Sequence, residues 1–142
     1  MSGAAPPSPL ESYCDAWLAA WTGNDPAELL TFYAADAVYS DPGVAGATGD
    51  GLRKHLAGLL RANPEWKWTR EVLLPTGEGF ALVWSATVPL RSGVVAAFKG
   101  MDRVALANGG KHGWIITRND VYFDASKMKV PAARAASRAS SL

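Results

Sequence analysis

Asp102 is the residue whose surroundings in the sequence most favour chemistry. It lies in a stretch from Val94 to Ala107 that alternates like a β-strand. Its neighbours on the same strand face are apolar or small, whereas Lys99 and Arg103 fall on the opposite face. Burying an ionised carboxylate among apolar groups is costly, so we expect its pKa to be raised. Such acids concentrate in active sites; the alternative is a structural acid paired with Arg118 or an indole N–H.

Two other acids are weaker candidates. Asp41 ends a short strand-like stretch and precedes Pro42, and an Asp-Pro step is an ordinary turn signal. Asp120 is spaced to form an ion pair with Arg118, either within a site or on a solvated strand face. Taken alone, both acids favour the structural interpretation.

Aromatic side chains are the second notable feature, because 142 residues include 6 Trp, 4 Tyr and 4 Phe. Rings of this size in so small a chain either fill a core or form the walls of a cavity. We expect several of them to line a pocket for a small apolar or aromatic ligand. The candidates are Trp17, Trp68, Phe80, Trp84, Phe98, Trp114 and Tyr122, with Asp120 beside them.

Other chemistries have little support. His55 lies among charged residues of a helix and His112 in a hairpin turn, so both are expected to be exposed. No His, Cys or acidic cluster has metal-ligand spacing, and no metal or cofactor is expected. Cys14 falls on the apolar stripe of a helix, which favours a packed thiol over a nucleophile.

Charge and hydropathy limit the possible partners. A formal net charge of +1 argues against a nucleic-acid surface. No apolar run reaches the roughly 20 residues that span a bilayer, so no membrane association is expected. The first residues have no basic start or apolar stretch, so no signal peptide is seen and a cytoplasmic location is expected.

Three helices are predicted to position these residues. Ser8, Pro9 and Glu11 form a helix-start signal, and Gly23 ends that helix. A second helix follows Asp25, with its buried face extending to Phe32 and Tyr33, and a Gly-rich loop then follows Pro42. Four residues form the buried stripe of the third helix: Leu52, Leu56, Leu59 and Leu60.

Long strands fill the second half of the chain. The predicted strands begin at Trp66, with Val72 and Leu74 on its face, and then cover Phe80–Leu90, Val94–Ala107 and Trp114–Phe123. On the last strand Trp114, Ile116, Arg118, Asp120 and Tyr122 are expected to share a face. Helices followed by an antiparallel meander predict an α+β domain. We expect a flexible segment at 1–7, the domain at 8–124 and a basic, disordered tail at 125–142.

The layout from Leu29 to Pro42, followed by a Gly-rich loop, a helix and strands ending at Asp120–Asp124, resembles the nuclear transport factor 2-like superfamily. Within it, the chain is most similar to SnoaL-like polyketide cyclases and ketosteroid isomerases. The resemblance covers nearly all of residues 8–124. It implies a cone-shaped α+β barrel in which three N-terminal helices pack on a strongly curved, mostly antiparallel sheet around an apolar pocket, and it implies a homodimer.

The resemblance also implies roles for residues. Asp41 matches the proton-shuttling base of ketosteroid isomerases, and Asp102 matches the neutral acid that donates to the oxyanion. Trp17 replaces the oxyanion-binding tyrosine, and His55 stands near the site of a supporting tyrosine. Gly100 replaces the Arg expected in the superfamily's epoxide hydrolases, so neither those enzymes nor classical steroid isomerases match fully.

The hypothesis is therefore a cofactor-free isomerase or cyclase acting on an apolar, carbonyl-bearing ligand. Asp41 would take a proton α to the carbonyl, and a neutral Asp102 with the Trp17 N–H would stabilise the enolate. The alternative is a non-catalytic ligand-binding or protein-interaction domain of the same fold. A third possibility is a dimerisation module, which needs an apolar outer sheet face.

Overall fold

The computed structural model describes residues 5–90 and 92–124. The predicted tail at 125–142 and the first part of the predicted segment at 1–7 lie outside the described residues. The helices are α1 (Pro9–Thr22), α2 (Pro26–Leu30) and α3 (Gly49–Ala62). The strands are β1 (Tyr33–Asp41), β2 (Val44–Ala47), β3 (Lys67–Pro75), β4 (Gly79–Pro89), β5 (Val95–Asn108) and β6 (Trp114–Phe123).

The helix starts confirm the sequence-based capping signals. The Ser8 side chain accepts from the Glu11 N–H and the Glu11 carboxylate accepts from the Ser8 N–H, which completes the capping box of α1. Gly23 closes that helix. Asp25 caps α2 by accepting from the Glu28 N–H. However, α2 ends at Leu30, and Tyr33 already begins β1, so the second helix is shorter than predicted.

The six strands form one sheet in the order β2-β1-β6-β5-β4-β3. Every neighbouring pair is antiparallel except β1 and β6, which run parallel. The loop predicted after Pro42 contains the short edge strand β2, which the Gly-rich sequence did not predict. The α+β architecture with three helices and a mostly antiparallel sheet is confirmed.

The central strands alternate as predicted. In β4 the buried residues are Phe80, Leu82, Trp84, Ala86 and Val88, and in β5 they are Phe98, Gly100, Asp102 and Val104. Lys99 and Arg103 are exposed on the opposite face. Because β4 and β5 pair without a register shift, one face of both strands points towards the helices throughout.

Two bulges change the faces of the inner strand β6 and the edge strand β3. Ala105 pairs with Arg118, and Leu106 pairs with Ile116, so Thr117 is an extra residue in β6. Side chains beyond the bulge therefore exchange faces, and the predicted face running from Trp114 to Tyr122 is wrong.

A similar shift between Arg70 and Val72 makes Glu71 the extra residue in β3. Leu73 then packs against the core, whereas Val72 and Leu74 are exposed. The prediction that Val72 and Leu74 share the buried face of Trp66 and Trp68 is therefore wrong.

Candidate functional site

A small apolar cavity lies between the helices and the inner face of the sheet. Its volume is about 50 Å³. Helices α1 and α3 supply one side, and residues of β1, β3, β4, β5 and β6 supply the other. Its lining residues are Trp17, Leu18, Trp21, Tyr39, Asp41, Leu59, Asn63, Trp68, Trp84, Phe98, Asp102, Val121 and Phe123.

Asp102 is the buried carboxyl of this cavity, and both of its oxygens accept hydrogen bonds. Trp84 Nε1 donates to Oδ1 at 2.7 Å, and Asn119 Nδ2 donates to Oδ2 at 2.8 Å. The residue is only 4% exposed. Both donors are uncharged, so no cation compensates the ionised carboxylate through these bonds.

A third group extends this network. The Tyr33 hydroxyl donates to Asn119 Oδ1 at 2.8 Å, which orients the amide so that its NH₂ group faces Asp102. Burial and the negative charge of Asp102 raise the pKa of Tyr33 well above its ordinary value. Tyr33 therefore remains a neutral donor, and β1 is tied to β5 through β6.

Burial raises the pKa of Asp102 to about 6. The hydrogen bonds from Asn119 and Trp84 act in the opposite direction, and the negative charges of Asp120 and Asp41 add to the rise. The predicted upward shift is present, but only about a tenth of the carboxyl is protonated at pH 7 with this pKa. At neutral pH Asp102 is mainly a carboxylate, a form that can accept a proton.

Asp41 lines the same cavity but is held differently. Its Oδ1 accepts from the Gly43 and Val44 N–H groups at 2.7 and 3.0 Å. Its Oδ2 accepts from the Tyr39 hydroxyl at 2.9 Å and from His55 Nε2 at 2.8 Å. These bonds occupy the lone pairs that a base would use and fix the turn from β1 to β2.

His55 on α3, which is bonded to Asp41, is less exposed than predicted. His55 was expected to be exposed, but its side chain is 24% exposed and is bonded to the 5% exposed carboxylate of Asp41. Because a carboxylate can only accept, the bond requires a proton on Nε2 of His55. Thus α3 is connected to the end of β1 beside the cavity.

Gly100 makes room for Trp84. The two residues are paired across β4 and β5, and a Cβ atom at Gly100 would lie 2.1 Å from Trp84 Cζ2. The indole consequently lies against the bare backbone of β5, from which its N–H reaches Asp102. Gly100 is therefore a positioning residue for this hydrogen bond.

Four of the predicted pocket residues lie outside the cavity lining. Phe80 is fully buried in the core with its ring near Trp17, and Trp114 lies beside Tyr13 at a separate surface groove. The bulge at Thr117 places Asp120 and Tyr122 on the other face of the sheet. Asp120 is bonded there to Arg118 Nε at 2.9 Å, and Tyr122 is 56% exposed.

The other predicted residues meet at the cavity: Trp17, Asp41, Trp68, Trp84, Phe98 and Asp102. Sequence reasoning missed Tyr33, Tyr39, His55, Asn63 and Asn119. Nothing in the sequence indicated that Asn119 belongs to the site, because strand alternation without a bulge places it on the opposite face from Trp114. Tyr33 was assigned to a helix, and Asn63 to a helix stop alone.

Cys14 packs in the core of the protein, His112 packs against it, and both have structural roles. Cys14 is fully buried, and burial raises the pKa of its thiol to about 12, so it packs as a neutral group. His112 was expected to be exposed, but its side chain is 17% exposed and stacks on Phe32 at a centroid distance of 3.7 Å. Within residues 5–90 and 92–124, no helix could cross a membrane and no group of three or more His, Cys, Asp or Glu could hold a metal.

The sequence of residues 14–111 matches the profile of the SnoaL-like domain. The chain belongs to the SnoaL-like domain family. The match covers α1 through β5 and therefore includes Asp41 and Asp102. A comparison with curated protein sequences gives no match.

Solved structures share the fold of this SnoaL-like domain. AclR from Streptomyces galilaeus, a provisionally assigned hydroxylase, is 14% identical with a TM-score of 0.69, over 87% of this chain and 95% of that one. TerC, co-crystallised with polyporic acid, is 17% identical with a TM-score of 0.70, over 89% and 99%. A protein of ketosteroid isomerase-like fold from Catenulispora acidiphila, in complex with trimethylamine, is 22% identical with a TM-score of 0.65, over 85% and 92%. These likenesses establish the nuclear transport factor 2-like fold.

Proposed function

We propose that the protein is a cofactor-free acid/base enzyme of the isomerase or cyclase type that acts on a small apolar ligand bearing a carbonyl group. The observation that carries the proposal is Asp102, a buried carboxyl on the wall of an apolar cavity with its pKa raised to about 6. A general base is most effective when its pKa is near the working pH. TerC, which shares the fold, was crystallised with polyporic acid, and this agrees with an organic ligand in the cavity.

The contacts favour Asp102 over Asp41 as the proton acceptor. Four hydrogen bonds hold the Asp41 carboxylate, two of them from backbone N–H groups. Asp102 accepts two, both from neutral side chains. A carboxylate that accepts many hydrogen bonds is a weaker base. The proposed roles therefore differ from those implied by the family resemblance, which made Asp41 the base.

The proposed step is a proton transfer on the bound ligand. The Asp102 carboxylate takes a proton from the carbon α to the carbonyl, the electron pair of the C–H bond forms a C=C bond, and the π pair of the carbonyl moves to its oxygen to give an enolate. The Trp17 N–H is a donor in the cavity wall that can stabilise this oxygen. Return of the proton from neutral Asp102 to another carbon completes an isomerisation. Alternatively, the enolate carbon attacks a second carbonyl of the ligand, and the oxygen of that carbonyl takes the proton from Asp102 as the ring closes.

Exchange of α-protons tests the step with acetophenone as the probe. In D₂O, the wild-type protein should accelerate deuterium incorporation into the methyl group, and Asp102→Asn should lower the rate by about 10²- to 10⁴-fold. Asp120→Asn is the matched control, since that acid is also buried but lies on the other sheet face. Its charge contributes to the raised pKa of Asp102, so this variant should change the rate, but far less than Asp102→Asn does.

A second function has specific support from the hydrogen bonds of Asp102. Both of its oxygens are already bonded, which suits a binding domain without chemistry. Binding of acetophenone with no acceleration in the wild-type protein would favour that function.

Loss of exchange in Asp41→Asn with full exchange in Asp102→Asn would instead identify Asp41 as the base.

A further inference from the structure

Two polar atoms at the cavity make no hydrogen bond to any described residue. They are Trp17 Nε1 and Asn63 Oδ1. Both residues line the cavity, and they are 1% and 4% exposed. A buried polar atom without a partner costs about 1–3 kcal/mol, so such atoms are rare in a folded protein. Two at one cavity, contributed by different helices, point to a partner that binds there.

The chemistry of the indole determines which kind of partner Trp17 needs. Trp17 Nε1–H can donate but cannot accept. The indole lies close enough to the Tyr33 hydroxyl to oppose the rise of its pKa, yet Nε1 makes no hydrogen bond within ordinary limits. Tyr33 donates its own proton to Asn119, so its oxygen keeps lone pairs and competes with a ligand as an acceptor for the Trp17 N–H. The partner that Trp17 needs is therefore an oxygen or another acceptor.

A hydrogen bond at the end of α3 determines which atom of the Asn63 amide is left without a partner. Asn63 Nδ2 donates to the carbonyl oxygen of Leu59 at 2.8 Å. A carbonyl oxygen cannot donate, so the amide cannot be turned over without losing this bond. Asn63 Oδ1 is consequently the free end, and its partner must be a hydroxyl or N–H group.

We propose that Trp17 and Asn63 form a polar recognition pair that selects ligands carrying both a hydrogen-bond acceptor and a hydroxyl or N–H donor on one small apolar frame. The inference rests on the proposed function only in placing the ligand in the same cavity. The class that fits is a hydroxyl-bearing carbonyl compound with an aromatic or aliphatic body, surrounded by Trp21, Trp68 and Phe98. A purely apolar molecule would displace water and leave both atoms unpaired.

A set of four ring compounds of similar size tests this inference. The set comprises 4-hydroxyacetophenone with both groups, acetophenone with the acceptor, 4-ethylphenol with the hydroxyl, and ethylbenzene with neither. We expect 4-hydroxyacetophenone to bind about fivefold or more tightly than either one-group compound, and those to bind more tightly than ethylbenzene. Equal dissociation constants for all four, or no binding of any at millimolar concentration, overturns the proposal.

Variants assign the preference to the two residues. Trp17→Phe should abolish the preference for acetophenone over ethylbenzene, and Asn63→Leu the preference for 4-ethylphenol over ethylbenzene. Trp68→Phe is the matched control, because it removes a cavity indole that is not among the buried unpaired donors. It should change all four affinities by the same factor. Unchanged ratios in Trp17→Phe and Asn63→Leu contradict the proposal.

A measurement on the wild-type protein avoids any dependence on variant folding. The Trp17 indole N–H resonance should move downfield on addition of acetophenone and not on addition of ethylbenzene. A resonance that moves equally with both compounds contradicts the assigned donor. The exchange assay remains separate: loss of exchange in Asp102→Asn with equal affinities for all four compounds would retain the enzyme and reject the recognition pair. Full exchange in Asp102→Asn together with the expected order of affinities would retain the recognition pair and reject the proposed chemistry of Asp102.

Discussion

Three buried acids of this chain differ in what surrounds them. Asp120 is beside the guanidinium groups of Arg118 and Arg103, with Nε atoms at 2.9 and 3.6 Å. Asp41 is bonded to His55 and to backbone N–H groups. Asp102 accepts only from an indole and an amide. Because neither donor carries a charge, burial is the largest influence on Asp102, and its pKa rises to about 6.

The first prediction concerns Asn119, which donates to the ionised form of Asp102. Asn119→Leu removes that donor and keeps a similar volume, so the pKa of Asp102 should rise further. The acidic inflection in the pH dependence of acetophenone exchange should move to higher pH by the same amount. Tyr33→Phe is the control, since it removes the next hydrogen bond but leaves both donors on Asp102. A shift as large in Tyr33→Phe would contradict a direct effect of Asn119.

The second prediction concerns Tyr39, whose hydroxyl donates to Asp41. Tyr39→Phe deletes a buried hydrogen bond to a charged group and should lower the free energy of unfolding by about 1.5–3 kcal/mol. Urea unfolding measures this loss. If Asp41 serves to hold the turn and not as the base, proton exchange should change by much less than in Asp102→Asn.

At the scale of elements, the pairing of β4 with β5 places the site. Unbroken register puts Trp84 opposite Gly100 and Leu82 opposite Asp102, so the indole of one strand reaches the carboxylate of the other. The absence of a side chain at Gly100 is part of this arrangement. The strand pair therefore acts as a rigid frame for the Trp84–Asp102 bond.

The third prediction tests that frame. Gly100→Ala should lower the free energy of unfolding by about 1–3 kcal/mol, because its Cβ would overlap the Trp84 ring. Gly58→Ala is the matched control: that Gly lies within α3 with no atom within 4 Å of an added Cβ. It should be neutral or stabilising by up to about 1 kcal/mol. Equal unfolding midpoints for the two variants would contradict the close packing of Trp84.

The elements also show what sequence patterns can and cannot predict. Capping of α1 and α2 and the alternation of β4 and β5 are local properties, and they were predicted correctly. The bulge at Thr117 is set by how β6 fits β5, and a single strand carries no local signal of it. That one residue decides that Asn119, and not Asp120, lies on the inner sheet face, where it donates to Asp102.

At the scale of the whole molecule, the candidate site depends on contacts between distant segments. Asp102 and its aromatic neighbours were predictable because a charge on an apolar strand face is visible in the sequence. The Asp41–His55 bond and the Tyr33–Asn119 bond were not, since they depend on how α3 meets β1 and on the parallel pairing of β1 with β6. Long-range assembly thus completes a site whose central acid was predicted.

The fourth prediction concerns global stability as a function of pH. The pKa of Asp102 is about 6 in the folded protein and near its ordinary value of 3.8 in the unfolded chain, so the folded state binds this proton more tightly. Its contribution to stability is full below about pH 4 and is lost as the pH rises through about 6. Asp102→Asn has no such loss. The difference in unfolding free energy should shift in favour of Asp102→Asn by about 2 kcal/mol between pH 4 and pH 8.

Urea unfolding of both proteins across this pH range measures the shift. Asp120→Asn provides the comparison, because it removes a buried acid that has cationic neighbours. A constant difference between Asp102→Asn and wild type would contradict the burial of an acid with a raised pKa.

The most direct measurement is the titration of the Asp102 carboxyl carbon by ¹³C NMR, assigned by its absence in Asp102→Asn. Burial in the apolar cavity predicts a midpoint near pH 6. A midpoint near the ordinary value of about 3.9 would contradict the central claim that this carboxyl is poised for proton transfer.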